Sequence, residues 1–266
     1  MHAFEYVRPH SLLEAKQLLT ADSEATLLAG GMTLLPTLKM RLAEPSKLID
    51  MAGIAELSGV RGAGNTVEIG AMTTHAAVAR DTVLQTKLPA LAKLAAGIGD
   101  AQVRNRGTLG GSIANSDPAA DYPAAVLALN ATIVTDQREI AADTFFVDMF
   151  ETALEPTEII VAVRFEIPKR AAYQKLPSPA SRYAVVGVMV AEYDKTVRLA
   201  VTGAASCVFR YEAMEHALRH RFSPAALEGI AVDSNTFNSD MHASAEYRAH
   251  LVRVMAARAV AASAHD

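Results

Sequence analysis

Arg104-Asn105-Arg106-Gly107-Thr108-Leu109-Gly110-Gly111-Ser112-Ile113-Ala114-Asn115-Ser116-Asp117-Pro118-Ala119-Ala120-Asp121 is the stretch on which the reading of this chain turns. Three glycines fall within five positions, 107 to 111, beside Thr108, Ser112 and Asn115. Glycine tolerates positive φ and lets a ligand come close to the backbone. Clustered glycines can therefore turn successive N–H groups toward an anion, as phosphate-binding nests do. The hydroxyl and amide side chains would add hydrogen bonds. A Gly-Gly pair taken alone reads more simply as a turn.

An earlier stretch shifts that balance. Leu27-Leu28-Ala29-Gly30-Gly31-Met32-Thr33 leads into Leu34-Leu35-Pro36-Thr37-Leu38-Lys39-Met40-Arg41. The pattern is strand, glycine loop, helix, and a helix start is a ready place for an anion. Two such loops suit a diphosphate gripped from two sides. Neither is G-x-G-x-x-G, and no G-x-x-x-x-G-K-[ST] is present, so the two commonest phosphate motifs are absent.

Composition bounds the rest. The 266 residues are enough for one large or two ordinary domains, with 51% apolar and 20% charged residues in a globular balance. A net charge of −4 offers no basic footprint for nucleic acid. The single cysteine, Cys207, cannot supply a disulfide, a four-thiolate iron–sulfur site or a structural zinc site within this chain; it reads as a small core residue. No signal peptide or run of 18 apolar residues is evident, so a soluble, cytoplasmic protein without a membrane span is expected.

The coarse pattern alternates strands and helices, which points to an α/β (α+β) fold. Strands are expected at 4–7, 25–29, 46–50, 66–71, 131–135, 159–167, 184–191, 197–205 and 207–209. Helices are expected at 34–41, 74–80, 88–98, 122–130, 211–220, 223–230 and 243–262. The capping box Ser11-Leu12-Leu13-Glu14 opens a further helix with Leu12, Ala15, Leu18 and Leu19 on one face. Asp121 and Asp240 stand where N-caps are expected, and residues 261–266 are expected to fray. Pro168, Pro177 and Pro179 are expected to interrupt any element over 169–181, placing a domain boundary near 170.

The two glycine stretches also carry a resemblance. Ala29-Gly30-Gly31-Met32-Thr33-Leu34-Leu35-Pro36, then Ile69-Gly70-Ala71-Met72-Thr73-Thr74-His75, then Gly99 through Asp121, and finally His242-Ala243-Ser244-Ala245-Glu246-Tyr247-Arg248 follow in the order of four family signatures. The chain resembles the FAD-binding (medium) subunit of molybdenum hydroxylases of the aerobic carbon monoxide dehydrogenase type, whose module is also built into xanthine dehydrogenase. The resemblance implies a bilobed PCMH-type FAD-binding domain over 1–170, with sub-lobes at about 1–53 and 54–170. A smaller α+β domain of the carbon monoxide dehydrogenase flavoprotein C-terminal type would follow over 171–266.

It implies FAD contacts at Ala29, Gly30, Gly31, Met32 and Thr33, and at Thr108, Gly110, Gly111 and Ser112. Met32 and Thr33 stand where relatives often have His and Ser. Asp121 matches an acidic position near the flavin or its ribityl chain, a role compatible with helix capping. Tyr183 matches a tyrosine that lies against the isoalloxazine; its plainer reading is an aromatic at a strand start. Lys175 and Arg182 could face the same cleft, and a positive charge there would favour anionic reduced flavin.

The implied role is electron transfer. Substrate chemistry would sit on a molybdopterin-binding large subunit, and a [2Fe-2S] small subunit would feed FAD, which passes electrons to an external acceptor. A dimer of heterotrimers is the implied assembly. No catalytic residues are assigned. Two other classes stay open: a self-contained FAD-dependent oxidoreductase of the same superfamily, and a non-catalytic assembly module. Glu212, His216 and His220 share a helix face, but no fourth ligand is evident, and no metal is assigned. Gly111→Asp is expected to empty the site, because its carboxylate would meet the diphosphate; flavin retained in the purified variant would count against the clamp.

Overall fold

The structure, a computed structural model, describes residues 1–263. Ser11 accepts a hydrogen bond from the Glu14 N–H and starts the helix Leu12–Ala21, as the capping box requires. That helix links strands Glu5–Val7 and Ala25–Leu28, which flank Lys47–Asp50 in a three-stranded parallel sheet. Ala15, Leu19, Ile49 and Leu57 close the small core of this region.

A five-stranded antiparallel sheet follows, ordered Val60–Ala63, Thr66–Gly70, Ile160–Glu166, Thr132–Thr135, Glu139–Ala141. The helices His75–Arg80, Pro89–Ala96, Leu109–Asn115 and Tyr122–Ala128 pack beside it. All seven residues of Tyr122–Ala128 are buried, because the last sheet covers this helix from the other side.

That last sheet is antiparallel, ordered Arg170–Pro177, Ala184–Glu192, Val197–Thr202, Phe209–Arg210. Met189, Ala191 and Ala200 point into the core shared with the preceding helices. Val186, Val188, Val190, Leu199 and Val201 point the other way, under the helices Glu212–His220 and Ala245–Ala262. Burial on both faces explains why 184–191 reads as a continuous apolar run.

The structure departs from the expectations in instructive places. Residues 170–177 form an eight-residue strand rather than an interruption. Pro168 precedes it and Pro177 closes it at a register shift, so the prolines bracket the ladder. The Gly-Gly segment at 110–111 is not a loop but part of the helix Leu109–Asn115, whose cap is Thr108. Asp121 precedes its helix yet makes no capping bond, because its carboxylate is engaged elsewhere.

Ser244, not Asp240, caps the last helix, which begins at Ala245. Asp240 instead holds the buried Arg248, whose guanidinium also donates to the Val185 and Gly203 carbonyls. The helix expected at 223–230 is a short 3-10 turn, Pro224–Leu227. The hairpin Phe146–Asp148 with Glu151–Thr152 had no local signal. The last helix runs to Ala262; of the residues expected to fray, 264–266 lie outside the described residues. Among the described residues, no helix is long and apolar enough to cross a membrane.

Arg248→Met should leave two strand-end carbonyls without their charged donor. Unfolding free energy in urea is expected to fall by about 3 kcal/mol with an unchanged slope. A loss under about 0.5 kcal/mol, the size of an ordinary surface change, would contradict this role.

Candidate functional site

A cleft of about 530 Å3 opens where the parallel sheet, the antiparallel sheet with its helices, and the start of the last sheet meet. That volume suits a cofactor-sized ligand. Ala29, Gly30, Gly31, Met32 and Thr33 line it from the first glycine stretch. Thr108, Gly110, Gly111 and Ser112 line it from the second, and Asp121 and Tyr183 complete the set. The eleven residues that the resemblance assigned to FAD therefore all border one cleft.

The two glycine stretches touch. A Cβ on Gly30 would overlap the Arg106 carbonyl oxygen and crowd the Gly107 Cα. A Cβ on Gly111 would lie 3.2 Å from that of Ala29. On the far side, a Cβ on Gly107 would sit 2.5 Å from His75 Nε2, and one on Gly110 would sit 2.6 Å from the Ala71 Cβ. Most of these glycines thus permit protein to approach protein. Only Gly31, at φ +73°, needs the left-handed backbone that glycine allows most readily.

The two stretches offer different chemistry. In the second, Leu109 N–H donates to the Thr73 carbonyl, Gly110 N–H to Ala71, Gly111 N–H to Thr108 Oγ1 and Ser112 N–H to the Thr108 carbonyl. These backbone donors are already engaged, so the expected second backbone cradle is a wall. In the first, the N–H groups of Gly30, Gly31, Met32 and Thr33 have no acceptor among the described residues. Four consecutive free donors bordering a cleft form the kind of nest that takes a phosphate oxygen.

Acidic groups at the cleft are each offset. Asp121, buried, accepts from Tyr173 Oη and from Lys175 Nζ at 2.7 Å. Burial pushes its carboxyl up, and Lys175 pulls it back. Lys175 therefore stands behind the cleft, not bordering it, and its charge is matched by Asp121 rather than free for a flavin. Burial also raises the Asp117 carboxyl, which accepts from the Ala119 N–H and shapes the Pro118 turn as expected. Arg182 and Tyr183 do border the cleft, and the Tyr183 hydroxyl meets Thr33 across it.

Two further residues belong to the site. Glu158 lies at the cleft with its side chain buried. Hydrogen bonds from the Arg138 guanidinium, together with the Glu155 N–H and the Thr135 hydroxyl, hold its carboxyl down at about 2. The sequence carries no motif for it. His75 starts the helix His75–Arg80 after its Thr74 cap, in the second family signature. It borders the cleft, and its Nδ1 is buried without a partner. Burial, with Arg104 nearby, lowers its pKa to about 4.

The other candidates fall away from the cleft. Cys207 is half-buried, with its thiol near the Val147 carbonyl. His216 and His220 place their Nε2 atoms 3.2 Å apart on an exposed helix face. Among the described residues, no group of three or more His, Cys, Asp or Glu is placed to hold a metal.

Comparisons with known proteins give the family. The family described as "FAD binding domain in molybdopterin dehydrogenase" matches residues 2–170. The carbon monoxide dehydrogenase medium chain of Hydrogenophaga pseudoflava is 37% identical over 98% of this chain and 96% of its own. The nicotine 6-hydroxylase medium subunit of Paenarthrobacter nicotinovorans is 35% identical over 97% and 96%. A solved structure of the Hydrogenophaga pseudoflava carbon monoxide dehydrogenase, in a form lacking the Mo-pyranopterin moiety, superposes with a TM-score of 0.91, covering 99% of this chain and 98% of that one. This chain belongs to the FAD-binding medium-subunit family of molybdenum hydroxylases. Its relatives are flavin subunits of oxidoreductases, and FAD is the cofactor of the domain.

His75 makes stability depend on pH. The unfolded chain takes up its proton near 6.5, the folded chain only near 4. Stability is therefore complete above that upper value and falls as pH drops through the window, by up to about 3 kcal/mol. His75→Phe should flatten this slope in urea titrations between neutral and acid pH; equal slopes in both proteins would contradict the assignment.

Proposed function

We propose that the cleft holds FAD with its diphosphate on the backbone N–H groups of Gly30, Gly31, Met32 and Thr33. The observation that carries this reading is the row of unpaired donors in the first loop. The segment Thr108–Ser112 forms the opposing wall. There the Ser112 hydroxyl and the Asn115 amide border the same space and can hydrogen-bond to the cofactor. Asp121 faces the flavin half as an acceptor, and Tyr183 packs against the ring system. Bound flavin would supply two-electron redox chemistry; this chain binds it, orients it and shields one side.

The complex-level role follows from the same reading. Electrons pass from [2Fe-2S] centres on a small partner subunit, through FAD here, to an external acceptor. A molybdopterin-binding large subunit performs the substrate chemistry, and the assembly is a dimer of heterotrimers in the cytoplasm. One cysteine leaves this chain without thiolates for its own cluster, which supports placing the clusters elsewhere. The division near 170 is supported by the end of the family match and by the start of the last sheet at Arg170.

Two measurements test this reading. The complex purified without a tag on this chain should contain flavin, iron and molybdenum. A flavin-loaded chain that purifies alone and turns over a substrate would favour the self-contained oxidoreductase instead. Gly30→Ala should raise the Kd for FAD about 100-fold by pushing the loops apart, with secondary structure retained by circular dichroism. Unchanged affinity would remove the first loop from the site.

A further inference from the structure

Lys175 sits in the strand Arg170–Pro177 with only 11% of its side chain exposed. Its Nζ donates to Asp121 Oδ2 at 2.7 Å and to the Arg182 carbonyl at 2.8 Å. The first partner comes from the start of the helix behind the cleft. The second belongs to the loop that leads into the strand Ala184–Glu192 and carries Tyr183. One ammonium thus ties the helix side of the cleft to the loop that presents the tyrosine.

The loop needs such a tie. Arg182 has φ +61°, a left-handed conformation that a side-chain-bearing residue keeps only when its surroundings impose it. Ser178 N–H donates to the Tyr183 carbonyl at 2.8 Å, and Arg182 N–H donates to Ser178 at 2.9 Å. These bonds close the loop on itself. Just after Tyr183 the Ala184 N–H donates to the Ala119 carbonyl at 3.1 Å, a backbone tie to the cleft side; just before it, the Lys175 bond to the Arg182 carbonyl is the side-chain tie. From there the Tyr183 ring, 43% exposed, reaches Thr33 on the first glycine loop.

The strand is shaped around this network. Gly187 pairs with Lys175 in the ladder. A Cβ on Gly187 would overlap Tyr173 Oη, which holds the other oxygen of Asp121. The missing side chain leaves Tyr173 room to complete the carboxylate's partners. A compact ammonium with three donors can serve a carboxylate and a carbonyl in different directions, which the planar fork of an arginine does less well.

We propose that Lys175 is a positioning residue, whose ammonium ties Asp121 to the Arg182 carbonyl and thereby holds Tyr183 against the flavin. This rests on the reading that FAD fills the cleft. The residue touches no cofactor itself; it acts through Tyr183.

The test uses the FAD-loaded protein and reads flavin fluorescence and the FAD off-rate. A tyrosine ring against the isoalloxazine quenches its emission, so Tyr183→Ala should brighten the flavin and speed FAD loss about tenfold, the scale of one aromatic contact. Lys175→Met should shift both readouts in the same direction and to a similar extent. Should the uncompensated Asp121 prevent folding, the double variant Lys175→Met with Asp121→Asn removes both charges and should behave as Lys175→Met does. Tyr173→Phe removes the other hydrogen bond to Asp121 but leaves both Lys175 bonds, and should keep the flavin quenched, which a general loosening of the fold would not. Lys175→Arg should restore part of the quenching.

Wild-type emission and off-rate in Lys175→Met or in the double variant, alongside a bright Tyr183→Ala, would overturn the positioning role while leaving the flavin site intact. No change in Tyr183→Ala would overturn the placement of Tyr183 and the proposal with it. A wild-type protein that binds no FAD would overturn the reading beneath both.

Discussion

The close approach of Gly30 to the backbone at Arg106 and Gly107 sets the shape of everything around the cleft. The loop after the strand Ala25–Leu28 and the turn between two helices meet there with no side chain between them. Gly107 and Gly110 repeat the device behind, bringing the capped helix Leu109–Asn115 against His75 and Ala71. The Gly30 and Gly110 contacts are to backbone atoms and a Cβ, which no rotamer change can relieve; Gly107 lies against the His75 ring. The cleft width is therefore a property of the packed frame, and the free donors of the first loop are held at a fixed distance from the opposing wall.

Charge is managed within the same frame. The chain is net negative, and three acids lie at the cleft that is proposed to take a diphosphate. Glu158 is spent on Arg138, and Asp121 is matched by Lys175. Burial raises the Asp117 carboxyl, and the Ala119 N–H bond pulls it back. Under the FAD reading, oriented peptide dipoles of the first loop would meet the phosphates, beside Arg182 at the cleft edge, which suits the absence of a lysine-bearing phosphate motif.

Much of this was legible because it is encoded locally. The Ser11 capping box, the strand–glycine–helix pattern at 25–39, and the alternating or continuous apolar runs each report short-range sterics or burial. Signals that look local but depend on distant partners were misread. Gly110 and Gly111 read as loop residues, yet they lie in a helix whose Gly110 fits against Ala71 and donates to its carbonyl. Asp121 reads as a cap, yet two residues more than fifty positions away claim its oxygens. Glu158 and the strand at 170–177 left no motif at all, since a buried carboxylate and a proline-bracketed ladder are recognised only by what they pair with.

The linear order of residues by itself determined the class of fold, because glycine spacing and hydrophobic period act over a few positions; through the family resemblance its motifs also named eleven of the residues that border the cleft and the ligand they suit. Only the tertiary structure decided which loop keeps its N–H groups free and which side chains set the posture of Asp121 and Tyr183. Those outcomes depend on which carbonyls and ammonium groups arrive from remote strands, and a hydrogen-bond donor cannot be known to be free until every acceptor in the folded chain has been placed.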